Sequence, residues 1–314
     1  WIGVVLPVPE LDRLAVGENM DIETYITPER LEKDVEHLQD WMSKEPHMPK
    51  IDDKEWIITF LHHNKYSLEK TKKKLENYYA YRNKYPEVLK NRDPLGEYVS
   101  RSRKLFNLSL ADRLTKDGER ILFGRYNSNF LAFIQSFHTV TLDFNPDTTG
   151  FDIWEHMKYG FMIIDTFYLE HDRHQYCMSI TDCRNLTYAF FLKALPGIKT
   201  GIDIFFTAYS DRLKAFHIIN APAGVEKVLN GFKSFLPAKI ADRFFVHSSP
   251  KELLQVVDED VVCSDLGGKG PRLAEYDGKF SLSLYRNNDV TTNEDLRQKN
   301  TKSNRGTEGI FQKT

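Results

Sequence analysis

Cysteine is scarce in this chain, with three residues in 314: Cys177, Cys183 and Cys263. So odd and sparse a set cannot build a disulfide framework, which points to a reducing compartment and a cytoplasmic protein. An excess of one charge is also missing, with 43 basic against 45 acidic side chains and a net charge of −2. Nucleic-acid-binding domains usually carry a broad basic surplus, so no nucleic-acid partner is expected and any cationic site must be local. No apolar run approaches the length of a bilayer span. The opening WIGVVLPVPEL is short, broken by Pro7 and Pro9, and has no basic start, which makes it a poor signal peptide.

Patterns that carry chemistry are absent too. There is no GxxxxGK[ST] loop, and the glycines of DLGGKGPR (265–272) lack the spacing that cradles phosphate, so they read as a turn. Cys177 and Arg184 stand one residue too far apart for a CxxxxxR cradle, and Cys177 shares a strand face with Ser179 and Thr181, as part of a wall. No HExxH or paired-cysteine pattern occurs; His171 and His174 read as exposed histidines without a carboxylate partner, and His62–His63 is equally unspecific. His217 and His247 read as packed, hydrogen-bonded side chains, because no nucleophile is spaced to meet them. The expectation is therefore no catalytic residue, no metal site and no cofactor, which favours a binding protein over an enzyme.

What is present falls into two textures. Helix signals come first. Thr27 before Pro28 opens a helix through Trp41 with Leu31, Val35 and Leu38 on one stripe. Asp52 with Glu55 forms a capping-box pattern ahead of Trp56 and Phe60, and Ser67 caps a third helix carrying Leu75, Tyr78, Tyr79 and Arg82. The lysines from Lys70 to Lys74 read as a solvated face. After Gly96, strands and helices alternate, which predicts α/β architecture with a mainly parallel sheet. The strands are RILFGRY (120–126), YCMSITD (176–182) and KAFHIIN (214–220), and a helix over FDIWEHMKYGFMIIDTFYLEH is apolar on most sides, hence buried or lining a cavity. In VEKVLNGFKSFL, Val225, Val228, Leu229, Phe232 and Leu236 make an amphipathic stripe in the form of a lid. The predicted division is an extension over 1–25, a helical module over 26–96, an α/β domain over 97–286 and a disordered tail over 287–314.

The stretches FLHHNKYSLEKTKKKLENYYAYRNKYPE, DGERILFGRY, KAFHIINAP and K-I-x-x-R-F (239–244) together resemble the CRAL-TRIO lipid-transfer family over roughly residues 28–275. The resemblance implies an N-terminal helical bundle followed by an α/β domain, whose sheet floors an apolar pocket closed by a mobile lid helix. It places Met157, Gly160 and Ile164 on one pocket-lining helix, Ile204, Phe205 and Tyr209 on the next, and Phe216 and Ile218 on the floor. The lid stripe from Val225 to Leu236 would face the ligand. It also implies a site for phosphatidylinositol bisphosphate built from four cations, which fall at Arg212, Lys214, Lys239 and Arg243. The implied function is an intracellular carrier of one tocopherol-, retinoid-, carotenoid- or isoprenoid-like molecule, peripherally associated with membranes, with phosphoinositide-assisted release. Phospholipid exchange and a membrane-recruited scaffold without cargo are the alternatives. The chain departs from the family where FLRAR is replaced by FLHHN, removing arginines at His62 and Asn64. YCMSITDCRN is more polar than usual and leaves open whether Asp182 takes the acidic position that follows this strand. A YGG ending becomes DLGGKG.

Overall fold

The computed structural model describes residues 26–127, 152–184, 186, 188–222, 224, 227, 230, 231, 233 and 236–277. The predicted extension over 1–25 and the tail over 287–314 lie outside them. Among the described residues no helix is long and apolar enough to cross a membrane.

The helical module starts where its caps direct. Helix α1 (Pro28–Lys44) is capped by Thr27, whose hydroxyl accepts from the Arg30 amide at 3.2 Å, and it runs three residues past Trp41. Helix α2 (Lys54–His63) is capped by Asp53 rather than Asp52, since the Asp53 carboxylate accepts from the Trp56 amide at 3.1 Å. Two adjacent aspartates give the same sequence signal, and the path of the chain decides between them. Helix α3 (Leu68–Lys84) is capped by Ser67, and the short α4 (Pro86–Leu89) follows Tyr85.

Helix α5 (Glu97–Leu105) leads into β1 (Phe106–Leu110), which pairs antiparallel with β2 (Glu119–Tyr126). Next come α6 (Ile153–Leu169), β3 (Tyr176–Asp182), α7 (Tyr188–Ala208), β4 (Leu213–Ile219), α8 (Ala238–Ala241), β5 (Phe244–His247) and α9 (Pro250–Leu253). The sheet order is β1-β2-β3-β4-β5, with every pair after the first parallel, so the sheet is mainly parallel as expected. Parallel crossovers are almost always right-handed. In a sheet that grows in one direction this puts every crossover on the same face, so the other face needs a separate cover. Residues 250–276 supply it: Leu253, Val257, Val262 and Leu266 pack under Ile121, Met178, Ile180 and Ala215, and Tyr276 stacks on Phe123 at 5.3 Å.

The module docks on the outer sides of α6 and α7 through one apolar cluster that includes Leu38, Phe60, Leu75 and Tyr78 together with Phe161, Tyr168 and Ile204. Two polar links fix its register. Asp165 of α6 accepts from Tyr78 at 3.0 Å and from Arg82 at 3.0 Å, and is also bonded to Arg92, all of them buried. Burial alone would raise the Asp165 carboxyl, but Arg92 and Arg82 outweigh it and hold the group below its ordinary value. Lys74 is not part of a solvated face. Its ammonium donates to the carbonyls of Phe206 (2.7 Å), Thr207 (3.2 Å) and Tyr209 (2.8 Å), closing the carboxyl end of α7, where the helix dipole favours a cation.

Candidate ligand chamber and cationic rim

In a sheet, residues in register share a face. Leu122, Ser179, Phe216 and Phe244 form one row across the crossover face, and Gly124, Thr181, Ile218 and Val246 form the next. On the opposite face Ile121, Phe123, Met178, Ile180 and Ile219, on β2 to β4, are fully buried, while Phe245 on the edge strand β5 is 45% exposed. On the crossover face Leu122, Thr181, Phe216, Phe244 and Val246 are only half-buried, although their strands sit under two helices. The backbone is common to both faces, so the difference reports looser packing on the crossover side. The bounding elements are α5, α6 and β1 at one end, through Tyr159, Met162 and Ile163, and α7 at the other, through Ala194, Ile198 and Ile202. Leu236 packs against this second cluster.

The predicted lining residues among those described each have a definite place. Phe216 and Ile218 lie on the crossover face of β4, with Phe216 stacked on Phe244 at 4.6 Å. Gly160 and Ile164 are half-buried on α6, and a Cβ on Gly160 would meet only Leu108, at 3.8 Å. Met157 lies between helices, its sulfur and methyl against Gly197 and Gly201 of α7. Ile204 and Tyr209 are fully buried against the helical module, and half-buried Phe205 packs on the same cluster. Val225, Val228, Leu229 and Phe232 lie outside the described residues. The α7 residues turned toward the sheet are Ala194, Ile198 and Ile202, a stripe with a spacing of four that Pro196 obscures in the sequence.

The four predicted cations gather at the amino-terminal ends of β4 and β5, and their surroundings differ. Lys214 is ion-paired with buried Glu119. The Arg243 guanidinium donates to the Leu213 carbonyl, and Arg212 lies over the Tyr176 ring at 5.2 Å. Lys239 is exposed on α8. Asp211, beside them in sequence, turns inward and accepts from the Tyr168 hydroxyl at 2.7 Å, so it does not neutralise the rim. Lys233 also belongs here, donating to the Phe244 carbonyl at 2.6 Å.

At the other end of the sheet Asp182 is buried. It accepts from Arg184 (2.8 Å) and from the Asn220 amide (3.0 Å), and Asn220 adopts a left-handed φ of 53°. Asparagine tolerates that conformation better than most residues, which explains Asn220 in HIIN. His217 and His247 are in contact at 2.8 Å, as packed histidines should be. His174 overturns its expectation: it is buried, not exposed, and lies 3.4 Å from Asp172 and 3.1 Å from Asp211. His62, His63 and Asn64 are also buried, with the Asn64 amide donating to Ser210 at 2.9 Å, so the departure FLHHN forms part of the joint between module and domain. Burial pushes the Cys183 thiol up to about 12 and the Cys263 thiol up to about 11, which keeps both protonated and poor as nucleophiles.

Residues 121–268 match the CRAL/TRIO domain model, and residues 27–99 match the Pinta-like, UBA domain model. This chain carries a CRAL/TRIO domain. It is similar to the mouse (Mus musculus) α-tocopherol transfer protein-like protein, with 25% identity across 85% of this chain and 76% of the relative. The human (Homo sapiens) protein of that name is 24% identical across 78% of this chain and 68% of its own length. The crystal structure of Sfh5 superposes with a TM-score of 0.52 over 87% of this chain and 99% of that one; at 11% identity the likeness is one of fold. The domain match and these similar proteins support a role in binding and transferring a lipophilic ligand.

Proposed function

We propose that this CRAL-TRIO protein extracts one apolar small molecule from a membrane, encloses it against the crossover face of the sheet, and releases it at a phosphoinositide-bearing surface. The observation that carries the reading is the contrast between one sheet face that is sealed over β2 to β4 and a half-open one whose Phe216, Phe244 and Val246 are apolar. Half-buried apolar side chains under two helices are the wall of a site that gains free energy when an apolar guest fills it, at about 25 cal/mol per Å² of surface covered. Segment 225–236 is the lid in this reading, with Val225, Val228, Leu229 and Phe232 facing the guest. The cations Arg212, Lys214, Lys239 and Arg243 form the rim that meets a phosphorylated headgroup, where arginine supplies forked hydrogen bonds and lysine compact charge. The named relatives support transfer of a tocopherol-like molecule. A carrier needs no nucleophile, and the protonated thiols favour carriage over catalysis.

A second reading has its own observation. The hydroxyls of Ser179 and Thr181 lie 3.4 Å apart on the crossover face, an anchor suited to a ligand with a polar head, as in phospholipid exchange. Native mass spectrometry of the protein purified from its own cells distinguishes the cases. A co-purifying apolar small molecule supports the first and a phospholipid the second. A chain that never carries lipid, even after incubation with vesicles, overturns both and leaves a scaffold.

A further inference from the structure

Behind the rim, three buried side chains from three separate segments converge. His63 ends α2, His174 lies in the loop between α6 and β3, and Asp211 lies between α7 and β4. The His174 Nε2 to Asp211 Oδ1 distance is 3.1 Å and the His63 Nδ1 to Asp211 Oδ1 distance is 3.5 Å, with side-chain exposures of 1% for each histidine and 0% for Asp211. All three ligand atoms lie within 4.8 Å of one another. At none of these atoms is the geometry of a hydrogen bond satisfied. Buried polar groups of this kind normally have a hydrogen-bonding partner, whereas these atoms face only one another at ion-pair distances.

We propose that His63 Nδ1, His174 Nε2 and Asp211 Oδ1 bind a divalent transition-metal ion of the zinc type, which clamps the helical module to the α/β domain. Zinc takes nitrogen and oxygen ligands at about 2.0–2.1 Å in a tetrahedron, whose edges are then about 3.3–3.4 Å. The two shorter separations bracket that edge. The surrounding groups are those that orient metal ligands. The other ring nitrogen of His63 lies 3.0 Å from the Asp172 carbonyl, and that of His174 lies 3.4 Å from the Asp172 carboxylate, itself held by Arg120 at 2.7 Å. The second oxygen of Asp211 accepts from Tyr168, whose oxygen in turn accepts from the Ser210 amide at 2.8 Å. The Cys177 thiol lies near His174 and is the candidate for a fourth ligand. Among charged neighbours, Lys74 and Arg212 act on Asp211 and His63, and the carboxylates of Asp211 and Asp172 offset the dication.

The test uses the full chain, unfolded with chelator, refolded with or without added Zn²⁺ and desalted. The expected result is about one zinc per chain by elemental analysis and a higher Tm for the zinc-refolded protein. His63→Gln should abolish both effects. Tyr168→Phe keeps all three ligands and should weaken zinc about 10- to 100-fold in a chelator competition. Co²⁺ in place of zinc should give the visible absorption of a tetrahedral site, with thiolate charge transfer if Cys177 completes it. A refolded wild-type chain that keeps no zinc overturns the proposal, as does zinc held equally tightly by the Tyr168→Phe protein. If His63→Gln fails to fold, Tyr168→Phe decides alone.

Discussion

The four rim cations carry the same formal charge but differ in what holds them. The Lys214 side chain is 49% exposed while that of its partner Glu119 is only 5% exposed, so removing the lysine strands a carboxylate inside the protein. Thr115 still donates to Glu119, at 2.9 Å, and offsets part of the loss. Lys214→Met should therefore cost about 1–3 kcal/mol of stability, read from the urea midpoint. Lys239→Ala should leave that midpoint unchanged and slow transfer to phosphoinositide vesicles more than to neutral ones, because Lys239 is exposed on the surface. Equal transfer rates for Lys239→Ala and wild type on both vesicle types would remove Lys239 from the rim. The charges themselves were legible in the sequence. Their partners were not, because Glu119 is 95 residues away and reaches Lys214 only through the alignment of β2, β3 and β4.

At the scale of elements, the chamber depends on how closely α6 and α7 cross. Gly197 sits at that crossing, where an added Cβ would run into Ile153 and come within 3.0 Å of the Met157 sulfur. Gly197→Val should cost about 1–3 kcal/mol through overpacking. Combining it with Ile153→Ala should recover part of the loss, a coupling measured by a double-mutant cycle in chemical denaturation. Strictly additive losses would mean that the two residues do not meet. Helix starts were legible because Thr27 and Ser67 act within one turn, and β3 because YCMSITD alternates between turn signals. Helix α5 and strand β1 were not read, since Gly96 offers no side-chain cap and FNLSL is five residues long. Strand β1 is stable only because β2 pairs with it, and that pairing is not local.

For the whole molecule, pH is the broadest lever. Burial lowers His156 and His217 from the ordinary 6.5 to about 4, and for His217 the neighbouring His247 and Lys214 add to the effect. Between pH 6.5 and 4 these rings are neutral in the fold and protonated in the unfolded chain, so the unfolded state binds more protons and stability falls as pH drops through this window. Chemical denaturation at pH 7 and pH 5 should show the lower midpoint at pH 5, and His156→Gln should flatten the decline; an identical slope would show that His156 does not report the window. The sequence by itself determined the caps at Thr27 and Ser67, three strands, the lack of enzyme patterns and the resemblance to a CRAL-TRIO domain, because capping, alternation and motif spacing act over a few residues. Only the tertiary structure decided that one sheet face is sealed over β2 to β4 and the other half-open, that Lys74 closes α7, and that His63, His174 and Asp211 meet. Those outcomes depend on crossover handedness and on contacts between residues more than a hundred positions apart, which no local pattern encodes.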